Sequence, residues 1–309
     1  MNKNRMFLRP ASLILKILST WVFSLVLTTN SYAGAWTLKR DQLLVKTSFL
    51  YQKTQDRYYS RNTPCPLGHV CTSSGQRVPF PFNGESQVTA VYIDFNYGLT
   101  DGLELRVQIP YFIIEFEDLA NPERLESTDV GDIRFGARYR FLTNPFVSTL
   151  RVEAKAPTGF FNKDSEVVPI GDGQWDLEFM GQFGRSLWPV PAYVNLDVGY
   201  RLRFAPDIAT STLEPGNEFF FRGEGGYNVL KNLLLKVALT GLYSEKFVVE
   251  NLTILDSQRR VLFFEPGIYL KVKENLAFES SIQFSLSGKN YTAGQVFNLG
   301  ASYTFSLIK

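Results

Sequence analysis

The sequence predicts an all-β fold, a transmembrane antiparallel up-and-down β-barrel of about twelve strands in one domain behind an export leader. Three observations predict it. First, polar and apolar residues alternate through one stretch after another. In Asp132-Ile-Arg-Phe-Gly-Ala-Arg-Tyr-Arg-Phe141, Ile133, Phe135, Ala137, Tyr139 and Phe141 share one side of an extended strand. Asp132, Arg134, Gly136, Arg138 and Arg140 share the other. The apolar side is continuous and aromatic and the polar side is charged, which fits lipid outside and a polar lumen inside. Second, short and long connections take turns between these stretches. Third, the chain begins with a secretory pattern.

The leader comes first. Lys3, Arg5 and Arg9 form a basic start, and residues 13–27 are mostly apolar but interrupted by Lys16. Ser31-Tyr32-Ala33 offers small residues for cleavage before Gly34, and Ala33-Gly34-Ala35 is a second candidate. Residues 1–33 are therefore expected to be a signal peptide and residues 34–309 the barrel. The apolar run is too short and broken for a membrane anchor, and nothing after it reaches the ~18 apolar residues of a spanning helix.

The strands follow in order. Residues 43–59 are the first, and a long polar connection, 60–84, holds both cysteines. Residues 86–97 alternate and end at Gly98-Leu-Thr-Asp-Gly102, whose Asp-Gly has turn chemistry. Residues 103–116 set Leu103, Leu105, Val107, Ile109 and Tyr111 against Glu104, Arg106 and Gln108. Pro110 lacks a ladder donor and is expected to mark a bulge. Residues 117–129 are expected to be a long acidic loop. The Asp132 strand ends at Thr143-Asn-Pro145, and 147–156 follows with Arg151, Glu153 and Lys155 on its polar side. After a long connection, 158–173, residues 174–187 and 192–204 flank Trp188-Pro189. In the second of these, Asn195, Asp197, Arg201 and Arg203 oppose Val194, Leu196, Val198, Tyr200 and Leu202. Residues 205–217 are long. Residues 218–229 and 233–247 flank Lys231-Asn232, 259–272 and 276–287 flank Lys273-Glu-Asn275, and 288–293 lead into 294–307. Even strand parity puts both ends on the short-turn side, which is periplasmic in exported barrels. A soluble β-sandwich also alternates, but these apolar faces are more aromatic, and the strands exceed the ~9–11 residues of a tilted crossing.

Composition narrows the class further. Aromatic residues make up 15% of the chain, as a lipid-facing band with interfacial girdles requires. The formal charge is +2, but the leader holds four bases and no acid, so residues 34–309 carry −2. That balance argues against a nucleic-acid partner. Cys65 and Cys71, the only cysteines, are expected to form a disulfide in an exported chain. Cys65, His69 and Cys71 also permit a metal reading, but a fourth ligand is missing. No cofactor is expected.

Three landmarks carry a resemblance: Leu99-Thr-Asp-Gly-Leu-Glu-Leu105, Gly131-Asp-Ile-Arg-Phe-Gly-Ala-Arg-Tyr-Arg-Phe141, and Ala156-Pro-Thr-Gly159 followed by Gly171-Asp-Gly-Gln-Trp-Asp176. In this order they resemble the outer-membrane family named for the meta-pathway of phenol degradation, a family of candidate transporters. The resemblance covers most of the chain after the leader. It implies a barrel in the outer membrane of a Gram-negative bacterium and passage of small hydrophobic or aromatic solutes. Expected partners are outer-membrane lipid, an unidentified small solute and the barrel-assembly machinery. Many such barrels end on an aromatic residue read by that machinery. Here Tyr303 and Phe305 are followed by Ser306-Leu-Ile-Lys309.

Enzymatic chemistry is poorly supplied. A serine nucleophile needs a base, and the single histidine, His69, lies in the cysteine loop. Glu115, Glu117 and Asp118, and Asp172 and Asp176, are acid groups that hydrolysis can use. They read better as a solvated loop rim. The chain is thus expected not to be an enzyme. The lumen is the stronger candidate surface. Arg134, Arg138, Arg140, Arg151 and Lys155 fall on two adjacent strands. Asp176, Glu178, Arg201, Arg203, Glu218, Arg222, Glu224, Glu265 and Glu279 fall on later ones. Buried charges need partners, so opposed ladders are expected to pair across the lumen. Two functions fit: a channel or transporter for small solutes, and a structural or interaction barrel acting through its long outer loops.

Overall fold

A computed structural model describes residues 34–60, 63–64, 70–119, 125–159, 170–205 and 213–307. Among these, twelve antiparallel strands pair with their sequence neighbours. They are β1 (Gln42–Tyr58), β2 (Glu85–Gly98), β3 (Leu103–Glu117), β4 (Arg134–Leu142), β5 (Val147–Lys155), β6 (Asp176–Ser186), β7 (Ala192–Arg203), β8 (Glu218–Leu230), β9 (Leu233–Ser244), β10 (Arg260–Lys273), β11 (Leu276–Lys289) and β12 (Tyr291–Ser306). β12 pairs back onto β1, from Gln42↔Ser306 to Tyr58↔Tyr291. Closure leaves no free sheet edge, the condition for a sheet to cross lipid.

The alternation decides the facing. Leu196 and Leu299 are 46% and 56% exposed on the outside, as are Phe49, Phe95, Phe135, Tyr139, Phe179 and Leu239. The neighbouring positions Asp94, Asn96, Glu104, Glu178 and Asn195 are buried inside the barrel. An apolar exterior around a charged interior inverts a soluble protein and is stable only in a bilayer. The architecture is that of an outer-membrane barrel.

Several expectations need correction. Residues 117–129 are not all loop, because Leu125–Val130 pairs with the upper half of β3. Pro110 does not break the β2–β3 register, where Tyr92↔Pro110 is in step. It sits where β3 changes partner: Gln108 pairs with Arg134 and Tyr111 with Val130, so the partner side holds one extra residue. The bulge is real but lies at residues 131–133 of the segment paired with β3, opposite the missing donor. The alternation of long and short connections also fails at the last outer one. β11 and β12 continue to Lys289 and from Tyr291, leaving Asn290 alone in the turn at φ 50°. The leader and the Cys65–Cys71 pair lie outside the described residues. Cys65 and His69 are not described, and Cys71 is described only in its backbone strand.

Candidate functional site

The lumen is built by the inward half of every strand, and its walls differ. On one wall the charges form a continuous ion-paired chain. Arg106 on β3 meets Glu153 on β5 at 3.0 Å, and Arg134 on β4 reaches Glu153 at 3.8 Å and Glu178 at 3.6 Å. Glu178 on β6 also takes Arg151 and, at 2.9 Å, Arg201 of β7. Arg201 passes the chain to Glu218 on β8 at 2.5 Å, which Arg259 meets at 2.6 Å and Arg203 at 3.6 Å. Inward residues two apart on a strand and directly opposed on neighbours are within side-chain reach. Strict period-two placement therefore builds the network.

Three smaller sets stand beside it. Arg222 bonds Glu224 at 2.9 Å and Glu265 at 2.7 Å. Glu279 lies between Lys236, at 3.0 Å, and Lys46. Arg138 pairs with Glu104 at 2.8 Å, and Glu104 is 1% exposed. Arg140 joins none of them. Its guanidinium donates to the Asp101 carbonyl at 2.6 Å, in the β2–β3 turn. The expected pairing across the lumen is corrected in most cases to pairing along the wall. Acids and bases alternate between neighbouring strands, so the shortest route to a partner runs sideways. Lys46, Lys236 and Arg259 are partners that the sequence reading did not name, and Glu104, Arg106 and Glu153 are ones it placed on polar strand faces without counting them among the lumen candidates. Their parity with the inward residues of their own or adjoining strands was the available signal.

The second and third resemblance landmarks meet at one junction on the loop side, whereas the first, at Leu99–Leu105, forms the short β2–β3 turn at the other end of the barrel. Lys155, 3% exposed, lies 3.1 Å from Asp132, 3.1 Å from Asp176 and also against Asp172. Asp132 accepts from the backbone N–H of Gly159 and of Asp172, both at 3.0 Å. Thr158 takes the N–H of Ile133 at 2.9 Å and donates to the carbonyl of Gly131. A Cβ on Gly159 would stand 2.9 Å from the Cα of Gly171, so glycine lets the two ends of this loop touch. Asp176 is thus not a solvated rim acid: it is buried and paired. At Asp172, burial favours the neutral acid, but Lys155 and then Arg203 outweigh it and hold the carboxyl below its ordinary value.

The other wall carries two aromatic pairs in addition to the Lys46–Glu279–Lys236 and Arg222–Glu265 sets. Tyr92 on β2 and Phe112 on β3 stack edge to face at 5.8 Å, and Phe263 on β10 and Tyr291 on β12 do so at 5.7 Å. By strand parity Tyr92, Phe112 and Phe263 point inward, in the loop-side half, and Tyr291, beyond the register shift between Lys53 and Asp56, stands opposite the buried Tyr58 and against Phe263. Phe220 on β8 lies against the charged wall, with the Arg201 guanidinium 5.3 Å above its ring.

The short-turn mouth is occupied by the chain itself. Residues 34–41, ahead of β1, run among inward side chains near the short turns. Ala35 and Leu38 are almost fully buried. Arg138 donates to the carbonyls of Gly34 and Trp36, both at 3.0 Å. Thr149 donates to the Ala35 carbonyl, and the Leu38 N–H to Glu104 at 2.9 Å. Trp36 packs edge to face on Tyr193 at 6.2 Å.

The profile of a family described as "Putative MetA-pathway of phenol degradation" matches residues 72–300. No protein of curated function matches the sequence. Among solved structures, an outer-membrane channel from Pseudomonas putida F1 superposes with a TM-score of 0.67 at 17% identity, over 88% of this chain and 98% of that one. The beta domain of a Bordetella autotransporter superposes with a TM-score of 0.50 at 10% identity, over 86% of this chain and all of that one. Both likenesses are of fold.

Proposed function

The chain belongs to the family described by that phenol-degradation profile, and from this premise we propose that it is a channel passing small solutes with an apolar or aromatic body across the outer membrane. The observation that carries the reading is the two-walled lumen. The charged wall is internally paired, so it offers little free charge to a passing ion. The facing rings of Tyr92, Phe112, Phe263 and Tyr291 offer an apolar surface with phenolic hydroxyls among them. A planar solute can lie against the rings while its polar edge meets the paired charges, an arrangement common in small-molecule sites. The solved channel from Pseudomonas putida adds the fold as support. A hydrolytic reading has no comparable support, because Asp172 and Asp176 both pair with Lys155.

Reconstitution tests the proposal. Single-channel recording in planar bilayers should give a small current, and loaded liposomes should take up phenol-sized aromatic solutes faster than polar solutes of equal size. Replacing Phe112 and Tyr291 with serine should erase that preference while the barrel still folds. A barrel without current or solute flux would favour the alternative, an interaction barrel working through its outer loops.

A further inference from the structure

Residues 34–41 enter the short-turn mouth, and their first residue stands against Asn195, whose side-chain amide has no partner. Gly34 sits at φ +68°, and a Cβ there would stand 2.5 Å from the Asn195 Cγ and 2.8 Å from its Oδ1. Asn195 is 7% exposed, yet neither Nδ2 nor Oδ1 has a hydrogen-bond partner. The next inward pair on the same two strands is Gln182↔Asp197, about 7 Å further along. Gln182 Oε1 and Asp197 Oδ1 are also buried and without partners. Buried polar atoms left unpaired are rare and costly. Asn195 stands beside Gly34, and the Gln182–Asp197 pair one inward position further along leaves two more oxygens open, one of them on a carboxylate, so this stretch of wall favours a cationic donor.

We propose that the leader is cut between Ala33 and Gly34, and that the new α-ammonium of Gly34 is this donor. Hydrolysis by a leader peptidase adds hydroxyl to the Ala33 carbonyl and hydrogen to the Gly34 nitrogen. The freed amine then takes up a proton, as α-amino groups do near neutral pH. The ammonium is one bond from the Gly34 Cα, beside which Asn195 stands, and once freed from Ala33 it can turn to donate to Asn195 Oδ1. Arg138, which holds the Gly34 carbonyl, is already neutralised by Glu104 and does not oppose the new charge. A side chain at the first residue would collide with Asn195, which explains glycine there. Cutting after Ala35 would discard the Arg138–Gly34 and Thr149–Ala35 bonds and leave Asn195 empty. The seated segment closes the periplasmic mouth. This last step rests on the channel reading, whereas the ammonium seat does not.

The test has three readouts on protein purified from outer membranes. Intact mass should place the mature start at Gly34, and a start at Trp36 overturns the proposal. Hydrogen exchange at residues 34–41 should be slow, and it should quicken severalfold in Asn195→Leu. Unchanged exchange in that variant removes the seat. A chain with residues 34–38 deleted, its leader joined to Lys39, should conduct severalfold more than the full mature chain. Equal conductance overturns the closure. If neither form conducts while mass and exchange behave as expected, the channel reading fails and the seat stands.

Discussion

Lys155 concentrates the energetics of the loop-side junction in one ammonium. It serves three carboxylates while almost fully buried. Removing one partner of a buried ionic cluster strands the others, at a cost of about 3–5 kcal/mol. Lys155→Met should therefore lower the barrel's unfolding free energy in detergent by that order, and adding Asp132→Asn should recover part of it. A loss within the range of ordinary surface substitutions would show that the acids find other partners. Asp172, the exposed member, allows a pH test. Its folded pKa is depressed, chiefly by Lys155 after burial has pushed the other way. Its contribution is therefore complete above the ordinary carboxylate value of about 3.9 and is lost as pH falls through the lower folded value. Carbonyl NMR titration of Asp172 should show a midpoint below that ordinary value. A midpoint above it would mean that Lys155 does not reach this acid in solution.

At the scale of the strand, facing is the testable property. On β12, Leu299 points to lipid and Asn298 to the lumen, near Ser281 and its partner Glu265. An arginine on the lipid face near the bilayer midplane costs about 2–4 kcal/mol, while the lumen position can hydrate and pair it. Leu299→Arg should sharply reduce refolding into lipid vesicles, and Asn298→Arg should be tolerated. Equal penalties would mean that β12 is out of register by one residue. Facing was legible in the sequence because strand side chains strictly alternate, as in Val194 to Leu202 of β7. The ends of β11 and β12 were not legible. Residues 288–293 read as a connection, but both strands run into it to a turn of one residue, carried by pairing with β10 and β1.

For the whole molecule, closure is the decisive contact. β1 and β12 pair along nearly their full lengths, so no strand unzips without breaking a ladder on both sides. Folded and boiled samples should accordingly run at different positions on a detergent gel, and the protein should fractionate with outer membranes. Identical mobility, with recovery as a soluble monomer, would be incompatible with a closed membrane barrel.

The amino-acid order alone determined the class, the strand count and which residues face inward, because a period-two pattern with aromatic and charged faces has one stable arrangement in a bilayer. It also marked most of the lumen charges, since parity alone places them. Only the tertiary structure decided who pairs with whom. Glu153 looked like one more polar residue beside Arg151, yet it links Arg106 and Arg134, because strand register sets those distances and sequence spacing does not. The same holds for Asp132, Thr158, Gly159 and Gly171, four residues from separate segments that meet only once the loop ends close on each other. Residues 34–41 carried no pattern at all. Their place inside the mouth follows from carbonyls offered to Arg138 and Thr149 across more than a hundred residues of chain, a contact that exists only after the barrel has closed around them.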